Sequence, residues 1–305
     1  MGYGWYEPNA VEALSQQLTI FAGSLGIPVL MPSIFGRMGM GQTSRDYSFY
    51  DTTLNECVEN AFQALALDEE RAPFAPALWE KPRGSPTNLK QVWFPGVHSN
   101  VGGGYDDGDL ANITFAWMMS RMEPFIDFYP DYMMKQYQNN KQFYRNTGQK
   151  SRWWSFGEIY ASARGLYGLA GRTTRTPGNY FRSDPYTGRP TSKRLKSTNE
   201  YIHASVRSRI GLGGPGSEDR GRYDCRALAD WSFEMDSAAD SKEPMIVWKN
   251  MSGKEGGQKV IPEAALLETE RRLLETSPKV EDYILDMKEP KRSRSRRRES
   301  KRYTM

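Results

Sequence analysis

The sequence predicts an α/β fold, a partial parallel sheet flanked by helices, with a mixed C-terminal accessory region and a disordered basic tail. Three observations predict it. "KQVWFPGV", Lys90 to Val97, is a strand of β-branched and aromatic residues entered from a Gly/Pro/Asn-rich loop. It runs into "HSNVGGGY", a tight turn with three consecutive glycines, Gly102, Gly103 and Gly104. "DLANITFAWMMSRMEPFIDF" follows with helical period, Leu110, Ile113, Trp117, Met118 and Arg121 along one side and Asp109 as N-cap. Strand, Gly-rich turn, helix is the repeating unit of α/β proteins.

The elements before this unit read as follows. Residues 1–17 have no period and form an irregular N-terminus. Leu18 to Ala22 is a buried strand, broken by Gly23 and Gly26 and stopped by Pro28. Residues 31–45 are a Met/Gly-rich loop in which Met31, Met38 and Met40 serve as packing filler or as a lipid contact. "TTLNECVENAFQALAL", Thr52 to Leu67, puts Leu54, Val58, Ala61, Phe62 and Leu65 at helical spacing, capped by Thr52 or Thr53.

Beyond the central unit, residues 146–200 are a loop-rich excursion. A second unit opens near residue 200 with "NEYIHASVRSRI". It closes with the helix "PEAALLETERRLLE", Pro262 in its first turn and Leu266, Leu267, Leu273 and Leu274 as its stripe. The expected division is 1–17, a domain at 18–210, an accessory region at 211–286 and a tail at 287–305.

Charge separates the tail from the body. The formal charge of +4 hides eight basic residues against one glutamate in residues 291–305, a local +7 that leaves residues 1–290 at −3. So basic a segment cannot bury a core, and it reads as a solvated terminus, an anionic-partner site or a nuclear address. Ser293 and Ser295 in Arg-Ser context could tune its charge by phosphorylation. A nucleic-acid function would rest on the tail alone and is disfavoured. Two cysteines, Cys57 and Cys225, with two histidines build neither a disulfide framework nor a zinc site, and no metal site is expected. No signal-peptide pattern and no apolar run of spanning length are visible, so a reducing, cytoplasmic setting is expected, with a nuclear one open through the tail.

His98 is the residue on which function turns. It leaves a strand at the C-terminal end of an expected parallel sheet, where α/β proteins place their sites. The competing reading is a structural histidine bonding a loop backbone.

"QVWFPGVHSNVGGGY" followed by "LANITFAWMMSRM" closely resembles the histidine motif of the type VI secretion phospholipase-effector-like catalytic domain, an α/β-hydrolase family. "VENAFQALALDEERAPFAPALWE" is similar to the family's helix before that strand, "GSLGIP" to the end of its aspartate motif, and "NEYIHASVRSR" to a further segment. The resemblance covers about residues 18–210. It implies an α/β-hydrolase-like sheet and ester or lipid hydrolysis without metal or organic cofactor. It also implies that His98 is the general base of a Ser–Asp–His set, in that order along the chain. Asn100 stands where family members have Asp or Asn.

The remainder of the set departs from the pattern. The family's Gly-Phe-Ser-Arg-Gly-Ala elbow has no counterpart in residues 1–97. In "LTIFAGSLG", Gly23 to Gly26 agree with the aspartate motif, but Thr19, Ile20 and Phe21 stand where Trp, Asp and Thr belong. The triad acid is thus Ile20, and Gln63 stands where many members have His. Agreement stops abruptly at Gly23, as in a truncated gene, an alternative start or a mispredicted exon. Ser24, in "AGSLG", mimics an elbow, but Pro28 and Pro32 deny it the helix an elbow needs. Asp46, Asp51 and Asp68 are substitute acids that no spacing argument separates.

The expectation is therefore a truncated, inactive hydrolase domain, or a non-catalytic binding protein using the retained half-domain and the tail. Two further features have structural and functional readings. His203, with Arg207 and Arg209 nearby, is a buried structural residue or a contact for an acidic ligand. Trp153, Trp154, Phe156 and Tyr160 are core or an acyl-chain patch.

Overall fold

The computed structural model describes residues 52–162, 171–184, 190–236, 245–253 and 256–286. The expected strand at Leu18 to Ala22, Ser24, the Met-rich loop, Asp46, Asp51 and the basic tail lie outside the described residues.

Strand β1 is Asn60–Ala66, where the sequence predicts a helix. Its burial alternates residue by residue, with Ala61, Gln63 and Leu65 turned inward. The short apolar run "AFQALAL" satisfies a helical and an alternating pattern equally, and pairing with a neighbouring strand decides between them. That neighbour is β2, Asn88–Phe94, which runs parallel to β1 in register from Asn60 opposite Asn88 to Ala66 opposite Phe94. Residues 52–59 are not helical and instead hold the chain by backbone bonds such as Leu54 N–H to the Glu80 carbonyl. The third strand, β5 (Glu200–Ile202), pairs parallel to the other side of β2, with Trp93 opposite Ile202. β2 is therefore central, which is why Leu89, Gln91, Val92, Trp93 and Phe94 are all buried, on both faces of the sheet.

Between β2 and the main helix lies an element that the glycine-rich turn conceals. Helix α1 is a short turn, His98–Gly102, so His98 is its first residue. Helix α2, Asp109–Met122, follows with Gly108 as its N-cap and Asp109 already in its first turn. Its buried side is Leu110, Ile113, Thr114, Ala116, Trp117, Met119 and Ser120. The expected stripe is thus right for Leu110, Ile113 and Trp117, whereas Met118 and Arg121 are only half-buried. Pro124 sits just past the helix end, and the chain does not continue through "EPFIDF". Helix α3, Tyr132–Asn146, packs on α2 and buries only Met133, Asn140 and Tyr144. So polar a helix carries little apolar signal.

The excursion contains one small antiparallel hairpin, β3 (Phe181–Ser183) with β4 (Pro190–Arg194). After β5 comes helix α4, Ala204–Gly211. Three antiparallel strands follow, β6 (Trp231–Asp236), β7 (Met245–Asn250) and β8 (Val260–Pro262). Pro262 therefore ends a strand instead of starting a helix. Its position at the strand end needs no ladder donor from the proline nitrogen. The helix comes later, as α5 (Glu268–Leu274), followed by α6 (Pro278–Leu285). Leu273 and Leu274 are buried as expected, but Leu266 and Leu267 precede the helix.

A single apolar cluster joins these parts. It contains Leu65, Trp93, Phe94 and Trp117 from the parallel sheet and α2, and Trp248, Leu273 and Ile284 from the C-terminal elements. The backbone N–H of Ala264 donates to the Ile202 carbonyl at 2.9 Å, so the chain leaving β8 is tied to the end of β5.

Candidate active site

All three parallel strands end toward one edge, and each delivers ionisable side chains there. Asp68 and Glu69 follow β1, His98 follows β2, and His203 follows β5. Ladder bonding continues past the strands, with Leu67 N–H to the Phe94 carbonyl and Asp68 N–H to the Gly96 carbonyl, each at 3.0 Å. The two loops are thereby held in register up to His98.

The turn that presents His98 depends on Gly96 and Asn100. Gly96 has φ of 109°, and a Cβ there would lie 2.5 Å from Asn100 Cβ. Asn100 is 2 % exposed. Its Oδ1 accepts the Val97 N–H at 3.2 Å and its Nδ2 donates to the Glu158 carbonyl at 2.8 Å. Asn100 is thus the brace of the turn, and the position two residues after His98 has a structural duty. Gly103 and Gly104 adopt φ of 82° and 115°, which turns the backbone out of α1 toward α2.

The His98 ring is half-buried, edge-on to Phe74 with centroids 5.0 Å apart. On the Phe74 ring rests the Arg71 guanidinium, 3.7 Å from the centroid. Burial lowers the imidazole's affinity for a proton, the charge of Glu69 opposes that, and Arg71 and Arg175 add to it; the net direction is down from 6.5. His98 is consequently neutral at neutral pH, the state in which one ring nitrogen can accept a proton. Among the described residues neither ring nitrogen has a hydrogen-bond partner.

Glu69 is the residue the sequence did not reveal. It is 2 % exposed and accepts from five donors. Arg71 supplies its backbone N–H at 2.9 Å, Nε at 2.9 Å and Nη2 at 2.8 Å; the others are the His98 backbone N–H at 3.1 Å and Ser162 Oγ at 2.9 Å. Burial pushes its carboxyl up, but the Arg71 side chain and the backbone donors of Arg71 and His98 outweigh it and hold the group below its ordinary range.

Asp68, the substitute acid within the described residues, faces elsewhere. Its Oδ2 accepts the Gly96 N–H at 2.6 Å and the Tyr223 hydroxyl at 2.9 Å. Burial pushes its carboxyl up to about 6 against the pull of Gly96, Tyr223, Arg209 and Cys225. It anchors the histidine turn from below and does not orient the imidazole. Gln63 is buried in β1 and donates to the Ala77 carbonyl at 3.3 Å.

Beside the turn opens a polar cleft of about 470 Å³, lined by Asp68, Val97, Tyr160, Ser162, Arg222 and Tyr223 among others. Tyr160 reaches it in contact with Tyr105, ring centroids 3.9 Å apart. The aromatic cluster expected here is divided, since Trp154 is buried and Trp153 is 45 % exposed under the Lys279 ammonium.

His203 is interior, with no exposed surface. Nδ1 accepts the Ser205 N–H at 3.2 Å and lies 2.7 Å from Ser205 Oγ, while Nε2 lies 3.0 Å from Glu270 Oε1. A backbone N–H can only donate, so the ring proton is on Nε2 and points to Glu270. Ser205, His203 and Glu270 thus have the connectivity of a triad but are sealed. His203 stacks on Phe94 at 4.5 Å and caps α4. Arg207 makes a two-pronged pair with Glu263 at 2.8 Å on each prong, and Arg209 donates to the carbonyls of Ser155, Gly157 and Pro215. Neither arginine is available to an acidic ligand. Among the described residues no three His, Cys, Asp or Glu side chains are grouped so as to hold a metal ion. Nor is any helix among them long and apolar enough to cross a membrane.

No curated protein and no solved structure matches the chain. A family model does: the T6SS phospholipase effector Tle1-like catalytic domain matches residues 21–121. The matched stretch takes in β1, β2, the histidine turn and nearly all of α2. The part of this chain that carries His98 is therefore similar to a portion of the Tle1-like phospholipase effector catalytic domain.

Proposed function

We propose that this chain carries the histidine side of a serine-type lipid or ester hydrolase site and, lacking the elbow serine, has little or no hydrolytic activity by itself. The observation that carries the reading is the neutral, half-buried His98 at the C-terminal edge of the parallel sheet, with ring nitrogens unpartnered among the described residues. A family-model match over residues 21–121 supports the lipid-hydrolase class.

In such a site the free ring nitrogen takes the proton of a serine hydroxyl as its oxygen attacks the ester carbonyl. The resulting imidazolium then protonates the departing alcohol, leaving an acyl-serine for water to cleave. His98 suits both halves of that role, and the cleft lined by its neighbour Val97, though not by His98 itself, has room for the polar end of a lipid. The serine is what the described residues do not supply. No described serine bonds the His98 ring, Ser162 is directed at Glu69, and residues 1–97 hold no elbow pattern. The alternative reading, a non-catalytic binding protein, draws on the retained half-domain and on the basic tail, the latter outside the described residues.

Hydrolysis of short- and long-chain acyl esters by the purified chain, beside His98→Ala and Ser24→Ala, tests the proposal. The expected result is no turnover above the His98→Ala background. Turnover abolished by both substitutions would overturn it and make Ser24 the nucleophile.

A further inference from the structure

We propose that Glu69 is the positioning carboxylate of His98, fixing the turn that carries the imidazole and providing the negative charge beside which the imidazolium can form. The proposal rests on the reading of His98 as a general base. It adds a residue to that site which neither the histidine motif nor the aspartate motif contains.

A catalytic histidine has two needs. Its ring must be held in one place, and an anion must face the positive charge that appears when it takes a proton. In this chain the position expected to supply that anion is Ile20. Of the two carboxylates that leave β1 at the same edge, Asp68 is committed to Gly96 and Tyr223. Glu69 remains, and it is bonded directly to His98 through the backbone N–H at 3.1 Å.

Three features fit Glu69 for the role. Its carboxylate is ionised and fixed, since five donors from Arg71, His98 and Ser162 converge on two oxygens. It is screened from water at 2 % exposure, so its field on the neighbouring ring is weakened little by solvent. It comes from the strand next to the histidine's own, in a ladder that continues past the strand ends, so its distance from His98 is set by the sheet. The charged groups that act on the His98 ring are Glu69, which favours its protonated form, and Arg71 and Arg175, which oppose it. Arg175 is itself buried and donates to the carbonyls of Arg71, Phe74 and Thr173, which fixes its position too. The field at His98 is therefore a balance of one anion and two cations held at set places, and removing one of them must move the ring's titration in a known direction.

The chain has only two histidines, and the second is sealed in the interior, so the His98 titration can be followed in the full chain by carbon–proton NMR with the His203 signals as a reference for folding. Glu69→Gln keeps the size but removes the charge and replaces one of the two acceptor oxygens with an amide NH2. The expected result is a downward shift of the His98 midpoint with the His203 signals unchanged. Arg71→Gln removes one of the two opposing cations and should move the His98 midpoint upward. An unmoved His98 midpoint in a Glu69→Gln chain whose His203 signals are native would overturn the proposal. Should Glu69→Gln fail to fold, as loss of the His203 signals would report, Glu69→Asp decides, because it keeps the charge but draws it back by one methylene: a downward shift of the His98 midpoint supports the proposal, and no change or a rise sinks it. Neither readout depends on ester hydrolysis, so failure of the hydrolase reading and failure of this one are separable.

Discussion

Asp68 Oδ2 holds the backbone N–H of Gly96 at 2.6 Å, so the loop leaving β1 grips the turn leaving β2 two residues before His98. The grip is made by a carboxyl that burial has pushed up to about 6. In the folded chain Asp68 keeps its proton over a range in which the unfolded chain, near 3.8, has released it. The folded state then binds more protons, so this contribution to stability is complete below about pH 3.8 and is lost as pH rises through about 6. Each unit of separation corresponds to about 1.4 kcal/mol, which bounds the effect at about 3 kcal/mol. Asp68→Asn should therefore flatten the fall in Tm between these two values, as a thermal scan across that pH range will report.

Gly96→Ala should be among the most damaging single-methyl changes in the chain. The new Cβ meets Asn100 Cβ at 2.5 Å and sits on a backbone with φ of 109°. Strain at such a site costs about 1–3 kcal/mol before any clash is counted. Thermal melting should show a drop of several degrees. The His98 ring signal should also shift, because Asn100 braces the turn through Val97 and Glu158.

His203→Ala should lower stability without touching the His98 site. It leaves Glu270 Oε1 without the His203 ring in an interior where that carboxylate is 1 % exposed, the Leu267 N–H on Oε2 remaining, and it removes the cap on α4. Losing a buried hydrogen bond to a charged group costs about 1.5–3 kcal/mol. Urea unfolding should report the loss, while the His98 titration midpoint should remain that of the unaltered chain. A shift of the His98 midpoint in a folded His203→Ala chain would contradict the assignment of His203 to structure alone.

Those outcomes follow from contacts that the sequence disclosed unevenly, for identifiable reasons. β2, the histidine turn and α2 were legible because a fully buried strand, three glycines and a long periodic helix each carry a strong local signal. β1 was not, because seven residues of "NAFQALA" fit two periods and only the pairing with β2 chooses. That one error also hid Glu69. Read as the exit of a helix, "DEER" is a charged surface; read as the end of a strand parallel to β2, it stands beside His98. The signal that could have found Glu69 was therefore the alternation of Ala61, Gln63 and Leu65. α3 escaped because a helix that buries three of fifteen residues leaves no apolar stripe to read.

The proposal that His98 is poised as a base with no activated serine beside it can be put to a serine-reactive phosphonate. Such a reagent forms a stable adduct only with a serine whose hydroxyl a base has activated. The intact mass of the purified chain should be unchanged after treatment at neutral pH, with and without His98→Ala. A single adduct that appears on a serine of the unaltered chain and disappears in His98→Ala would contradict the claim, and the modified residue would name the nucleophile.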